Sequence, residues 1–410
     1  MPVVSARTRA LAAASVAAGT SGYVVAAVLP ELAADLDVTL ASAGQVLTAF
    51  ALAYAVGSPV LAVLTAGWER RALIVAALVV AALGNLASAL APGLGPLLAA
   101  RVVTACGAAL TTPAATAVAA QLHPPGTRAR AMAVVTGGLT AATVLGVPAG
   151  RAVVELAGPR AAFALTAGLC LLAAAVVALV VPATPAGPPL GLRQRLALPG
   201  GGAGARRLLL VSLLSCLATF SVYGYLTPLL TAGPAALPVS LLLLAYGVGG
   251  VLGNVLGGRA ADRRGPRGPL LVALFGTAVA LVLLRPALGD PVAVVAVLTA
   301  WGGLFWAFNP PLFAALVAVD PGRAGVLLAL NASAIYLGIA GAGVVGGAVT
   351  ATAGVQAVPV VGAVTAALAA CVALSTRSPG RRRATAQAGS RAEPEGEAEQ
   401  VPAAAVPLDR

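Results

Sequence analysis

Arg101 stands inside an otherwise apolar run, Leu97-Leu-Ala-Ala-Arg101-Val-Val-Thr104-Ala-Cys-Gly107. An ionised guanidinium in hydrocarbon costs several kcal/mol unless it turns into a protein interior or reaches an interface, so such a residue is a candidate for binding or for handling charge. Thr104, Ala108 and Thr111 follow it on one helical face, which suits a cavity lining, whereas a position near the outer surface would let the Arg snorkel. Two further stripes recur at helical spacing: Ser212, Ser215, Thr219, Tyr223 and Thr227, then Gly302, Phe305, Trp306, Asn309 and Phe313. Aromatic faces with an amide and hydroxyls suit an amphipathic or apolar organic solute, although packing between helices uses the same residues. Tyr23, Asn331 and Tyr336 join the set from two other apolar runs.

Other chemistries find no support. Cys106, Cys170, Cys216 and Cys371 all lie inside apolar runs with no pair at metal-ligand spacing, and His123 is the only histidine; neither a metal site nor a disulfide is expected. There is no His/Asp/Glu cluster and no serine in a nucleophile-like glycine turn, so an enzyme is not expected. A chain without Lys has no phosphate-cradling G-x-x-x-x-G-K-[ST] loop, and no cofactor is expected.

The elements that must position these residues follow from composition. Of 410 residues, 60% are hydrophobic and 9% charged, against roughly 25% charged in a soluble domain. The apolar residues come in runs of about 20, the length that crosses roughly 30 Å of hydrocarbon, so the lipid bilayer is the partner for most of the surface. The runs predict helices at 10–29, 43–64, 72–91, 96–122, 131–156, 161–181, 208–230, 239–257, 270–284, 292–319, 324–353 and 360–374: an all-α membrane protein. The first run, behind Arg7 and Arg9, is too long for a secretory leader and reads as a retained helix.

The net charge of +12 is carried by arginines, which in a soluble chain would suggest nucleic acid. Their placement excludes it. Arg7, Arg9, Arg70, Arg71, Arg128, Arg130, Arg193, Arg195, Arg206, Arg207, Arg259, Arg263, Arg264, Arg267, Arg323 and six in the tail fall on one side of the twelve runs, 21 of 25, opposite the loop with Glu31, Asp35 and Asp37. Positive loops stay inside, so both termini are expected to be cytoplasmic.

A Pro/Gly/Arg stretch between Pro182 and Arg207 separates six runs from six. The expected organisation is 1–181, a linker 182–207, 208–374, and a disordered tail 375–410 with an RRR sequence and acidic residues around Glu393 to Glu399. Sliding the halves by 196 or 197 residues superposes Gly57 on Gly253, Arg71 on Arg267, Pro125-Gly126 on Pro321-Gly322, and Gly146 and Gly150 on Gly343 and Gly347. Equivalent places in a six-plus-six plan indicate a duplication about an axis along the membrane normal.

The connection after the eighth run, Gly258-Arg-Ala-Ala-Asp262-Arg263-Arg-Gly265-Pro-Arg267, resembles the loop signature of the major facilitator superfamily, G-x-x-x-D-R-x-G-R. Small residues there let two helices close up, and the charges form contacts that latch one conformational state; a plain positive-inside loop has the same composition. The matching loop, Leu64 to Arg71, has Ala66 where the second half has Asp262. Arg101 resembles the fourth-helix Arg of the family, which the resemblance links to proton coupling and substrate binding. Gly146, Pro148 and Gly150 in the fifth run resemble the motif of its drug:proton antiporters, with Arg151 where a small residue is usual. The stretch from Gly22 and Tyr23 onward is similar to the bacterial drug-efflux and sugar-efflux branch, which commonly has an acid where this chain has Gly22.

The resemblance implies two pseudo-symmetric six-helix halves in a bacterial inner membrane. It also implies secondary active transport, with export of a small-molecule substrate (drug, sugar or metabolite) by alternating access and with protons as the coupling ion. The first, fourth, seventh and tenth helices would line the path. Coupling needs a carboxylate that titrates within the membrane, and none lies well inside a run; Glu31 and Glu155 sit near the outer boundary. A facilitator without proton coupling, or a non-transporting sensor or scaffold on the same fold, therefore stays open.

Overall fold

The computed structural model describes residues 5–186, 203–232, 237–320 and 324–375. The tail and most of the expected linker lie outside the described residues, as do Pro321 and Gly322.

Among the described residues, twelve helices are long and apolar enough to cross a membrane: α1 Ala6–Asp35, α2 Leu40–Leu64, α3 Arg70–Ala89, α4 Leu94–Gln121, α5 Arg130–Ala157, α6 Pro159–Val180, α7 Ala203–Tyr223, α8 Val239–Arg264, α9 Arg267–Ala287, α10 Pro291–Val319, α11 Val326–Ala353 and α12 Val355–Leu374. Each of the twelve expected runs is one of them. Most starts come earlier than hydrophobicity suggests, α8 and α11 excepted, and at three of them a polar cap begins the helix before its apolar stretch. Ser5 Oγ accepts from Thr8 N–H, Thr39 Oγ1 from Ser42 N–H, and Asp290 from Val292 and Ala293 N–H, each satisfying donors that the first turn leaves free. Between α8 and α9 the chain reverses at Gly265, whose φ of 75° suits a residue without Cβ.

Proline and glycine interrupt particular spans. α1 turns at Val24 ahead of Pro30, α7 turns at Gly224–Tyr225 before continuing as Leu226–Thr231, and α10 turns at Phe308 before Pro310-Pro311. α5 passes through a π-turn at Ala142–Gly146. Pro148, which has no N–H for the carbonyl at 144, follows directly, and the wider turn absorbs the mismatch.

The packing is a duplication. α1 contacts α4, α5 and α6; α3 contacts α4 and α6; α2 contacts α4. Adding six to each number gives the observed contacts of α7 with α10, α11 and α12, of α9 with α10 and α12, and of α8 with α10. Between the halves, α2 lies on α11 and α5 on α8, pairs that the same shift exchanges. The outer faces keep large apolar side chains exposed, among them Leu83, Leu172, Leu179 and Val279, as lipid-facing surfaces do.

Superposing Arg71 on Arg267 has a structural meaning. Arg71 donates to the Val181 carbonyl at the end of α6 and Arg267 to the Leu374 carbonyl at the end of α12, so each arginine caps the last helix of its own half against the dipole. The glycine match is looser. A Cβ on Gly253 would collide with the Gly303 carbonyl of α10, whereas one on Gly57 would only touch Leu61 of its own helix at 3.5 Å. Gly249, Gly253 and Gly257 together form a small-residue stripe that brings the α8 and α10 backbones into contact.

Candidate functional site

The halves meet through backbone carbonyls that proline has released. Pro30 has no N–H for Ala26 O, and Pro59 none for Ala55 O. Thr227 of α7 donates to Ala26 O at 2.7 Å, and Ser333 of α11 to Ala55 O at 3.5 Å. Thr48 of α2 adds a bond to Ala340 O at 3.2 Å. The same seam carries rings: Tyr54 stacks on Tyr336, with centroids 3.4 Å and planes 15° apart, and Gly44 leaves the space that the Tyr225 hydroxyl fills.

Further aromatic contacts run from α1 through α7 to α8 and α10. Tyr23 stacks on Phe220 at 5.7 Å; Phe220 meets Tyr223 and Phe305 edge-on, each at 5.8 Å; Tyr223 leads to Tyr246 and Trp301 at 4.9 Å per step; Phe305 touches Trp306 and Phe308. Thr219 lies one turn from Tyr223 on the same face of α7. Thr219 Oγ1, Tyr223 OH, Trp301 Nε1 and Trp306 Nε1 are all buried without a hydrogen-bond partner among the described residues. Natural interiors leave few such groups, and a ligand is one explanation when several sit together.

Of the residues singled out by sequence, Tyr23, Thr219, Tyr223 and Trp306 belong to this cluster. Asn309 follows the break at Phe308 and is half-buried. Thr104 and Asn331 do not join it: Thr104 faces Gly84 of α3 and donates to Ala100 O, while Asn331 accepts from Ser212 and ties α11 to α7. Phe220, Tyr246 and Trp301 were missed. The Tyr223 stripe counted hydroxyls and passed over Phe220, and Tyr246 and Trp301 lie on other turns whose neighbours only the fold selects.

Arg101 is fully buried inside the first half rather than at the outer surface. Its Nη1 donates to Asn85 Oδ1 at 3.2 Å and its Nη2 to the Ser21 carbonyl; Asn85 Nδ2 in turn donates to Ser21 Oγ at 2.8 Å. Phe50 covers the guanidinium at 4.7 Å and Phe163 at 5.6 Å, and Nε has no partner among the described residues. The charge is thus held by neutral acceptors and rings. Gly22 adjoins Phe50, to which a Cβ would come within 3.1 Å.

The carboxylates near the far ends of α1 and α5 are each in an ion pair, with Glu31 Oε2 left buried without a partner among the described residues. Arg151 contacts Glu31, Glu155 and the Ala27 carbonyl, and Arg160 pairs with Asp35 at 3.0 Å. The departure at Arg151 therefore has a local cause, an ion cluster joining α1 and α5. Gly146 and Gly150 pack that helix on Thr20 and Val24 of α1.

In the α8–α9 connection Asp262 and Arg263 are exposed, and Asp262 forms no ion pair with a described residue. Gly258 has Pro310 of α10 at ordinary contact distance, 3.8 Å. In the α2–α3 connection Glu69 accepts from Arg71, Ala72 and Thr184 N–H, tying α3 to the chain after α6. Burial raises the Glu69 pKa, and the three N–H donors with the Arg71 charge outweigh it, so the carboxyl titrates below its ordinary 4.5.

Among the described residues no group of His, Cys, Asp and Glu could hold a metal. The model of the Major Facilitator Superfamily matches residues 11–340 and 208–407. The chain is 32% identical over 340 residues to the MFS-type transporter YbcL of Bacillus subtilis (82% of this chain, 87% of that one). It is 32% identical over 382 residues to the inner membrane transport protein YdhP of Escherichia coli K12 (88% and 93%). Over 319 residues it is 33% identical to a chloramphenicol resistance protein of Streptomyces lividans (74% and 78%). A bacterial homologue of the human lysosomal transporter Spinster, solved inward-facing and unoccupied, shares the fold at a TM-score of 0.73 and 18% identity, covering 92% of this chain and 99% of that one. With twelve spans in two duplicated halves and relatives of this kind over most of its length, the chain belongs to the major facilitator superfamily and is a multi-pass membrane transporter.

Proposed function

We propose that this chain exports small organic molecules from a bacterial cell, with both termini cytoplasmic and its halves rocking about the seam between α1, α2, α7 and α11. The observation that carries this is the aromatic cluster. It starts on α1 of one half, continues on α7 and α10 of the other, and contains buried hydroxyl and indole groups without partners. Movement of one half against the other would remake the cluster, which is what a substrate-dependent cycle needs. Export as the direction is supported by two relatives, the Streptomyces chloramphenicol resistance protein and a probable sugar efflux transporter of Mannheimia succiniciproducens.

The test is accumulation and growth inhibition, across chloramphenicol and other antibiotics, sugars and amino acids, in cells with and without the chain. Lower accumulation of at least one solute, lost with Tyr23→Ala or Phe220→Ala, is the expected result. Unchanged accumulation throughout would favour a non-transporting scaffold.

Weak coupling to protons is the second reading. It is supported by the pairing of Glu31 and Glu155 with Arg151 and of Asp35 with Arg160, and by the neutral partners of Arg101.

A further inference from the structure

We infer that the aromatic cluster selects neutral aromatic molecules bearing hydrogen-bond acceptors and rejects lipophilic cations, with Trp301 and Trp306 as the selecting donors. Passage across the membrane rests on the export reading; binding does not.

An indole N–H donates and never accepts, so Trp301 Nε1 and Trp306 Nε1 can be satisfied only by an acceptor. Both flank the same stretch of α8: Trp301 meets Tyr246, and the Trp306 ring lies where a Cβ on Gly250 would be, 2.6 Å from Cδ1. Tyr223 and Thr219 add two more donors from α7. A carbonyl, ether, nitro or phosphoryl oxygen satisfies these groups, and the rings of Phe220, Phe305 and Phe308 supply flat apolar surface. A quaternary phosphonium brings no acceptor and, having no N–H, cannot be held by neutral oxygens as Arg101 is, so it needs a carboxylate nearby to offset its desolvation. Among the described residues no Asp or Glu is buried as a whole; the one buried carboxylate oxygen without a partner, Glu31 Oε2, belongs to a group already paired with Arg151, and the buried charged residues, Arg101 and Arg151, are both positive. Cation–π attraction alone falls short of that desolvation cost.

Three probes of similar size separate the terms: triphenylphosphine oxide (neutral, one strong acceptor), methyltriphenylphosphonium (cationic, no acceptor) and triphenylmethane (neutral, no acceptor). Of the three tryptophans, Trp68 is exposed, so in a Trp68→Phe background the fluorescence of protein in lipid nanodiscs reports the cluster. The oxide should bind about tenfold tighter than either other probe, the ratio of about one hydrogen bond to a buried donor. Trp301→Phe or Trp306→Phe should lower the oxide's affinity about five- to tenfold and leave triphenylmethane unchanged; Tyr223→Phe, which keeps the ring, gives an independent check if an indole variant fails to fold.

Phosphonium binding equal to that of the oxide, or oxide affinity unchanged in every variant, would overturn the inference. Uptake into inverted vesicles separates it from the export reading. Selective binding of the oxide without its uptake would support the site chemistry and remove export, whereas equal uptake of all three probes would support export and remove the selectivity.

Discussion

Thr227 donates its hydroxyl to the Ala26 carbonyl at 2.7 Å across the two halves, and that carbonyl is free because Pro30 stands four residues on. Ala55, Pro59 and Ser333 repeat the arrangement between α2 and α11 at 3.5 Å. Pro30 and Pro59 thus each release an acceptor for the opposite half.

Replacing Pro30 by Ala gives Ala26 O an N–H of its own helix, and Thr227→Val removes the donor. Each change should weaken the seam by about one hydrogen bond, about 1 kcal/mol, and shift the balance of conformations about fivefold. The check is maleimide labelling of a cysteine placed at Ala41, which packs near Gly347, after the four native cysteines are replaced. Both variants should label faster; unchanged labelling in both would remove the seam as a gate.

Arg101→Ala should abolish transport while membrane insertion persists. Arg101→Lys should not restore it, since an ammonium cannot reach Asn85 and the Ser21 carbonyl as the planar fork does. Losing the guanidinium leaves the buried Asn85 oxygen unpaired, at a cost of about 1–3 kcal/mol, readable as a lower thermal midpoint in detergent. Normal flux in the Ala variant would make Arg101 a packing residue.

An imposed pH gradient should drive uptake into inverted vesicles weakly or not at all. Glu31→Gln, Asp35→Asn and Glu155→Gln should leave flux within about threefold, a difference worth less than 1 kcal/mol. Strong gradient-driven uptake abolished by any one of these substitutions would show that an acid near the boundary carries the proton.

Gly253→Ala should destabilise the fold by more than about 2 kcal/mol, because the new methyl meets the Gly303 backbone and two helices must part. Gly258→Ala, with Pro310 at 3.8 Å, should cost little in thermal stability. Equal losses in the two variants would contradict the close approach of α8 to α10.

Glu69→Gln should lower the thermal midpoint near neutral pH. The folded carboxyl titrates below its ordinary 4.5, so its stabilisation is fully present above that value and is lost as pH falls through the lowered folded value. The gap between wild type and variant should therefore close only in acid. A gap that persists there would assign the effect to something other than the Glu69 charge.

The spans were legible because lipid sets their length. Hydrocarbon of fixed thickness demands about 20 apolar residues per crossing, and the duplicated order followed from matches such as Arg71 on Arg267, later seen as two caps on two terminal helices. Residue types also marked Arg101, Tyr223 and Trp306 as unusual, since polar groups in lipid-length runs need partners. Which partner each found was decided by tertiary structure alone. Asn85 and Ser21 are 16 and 80 positions from Arg101, and Thr104 turned to a helix contact although its face looked equivalent to that of Thr219 and Tyr223, as did the isolated Asn331. Periodicity gives each residue a face of its helix, but only the neighbouring helix determines whether that face meets lipid, another span or the aromatic cluster.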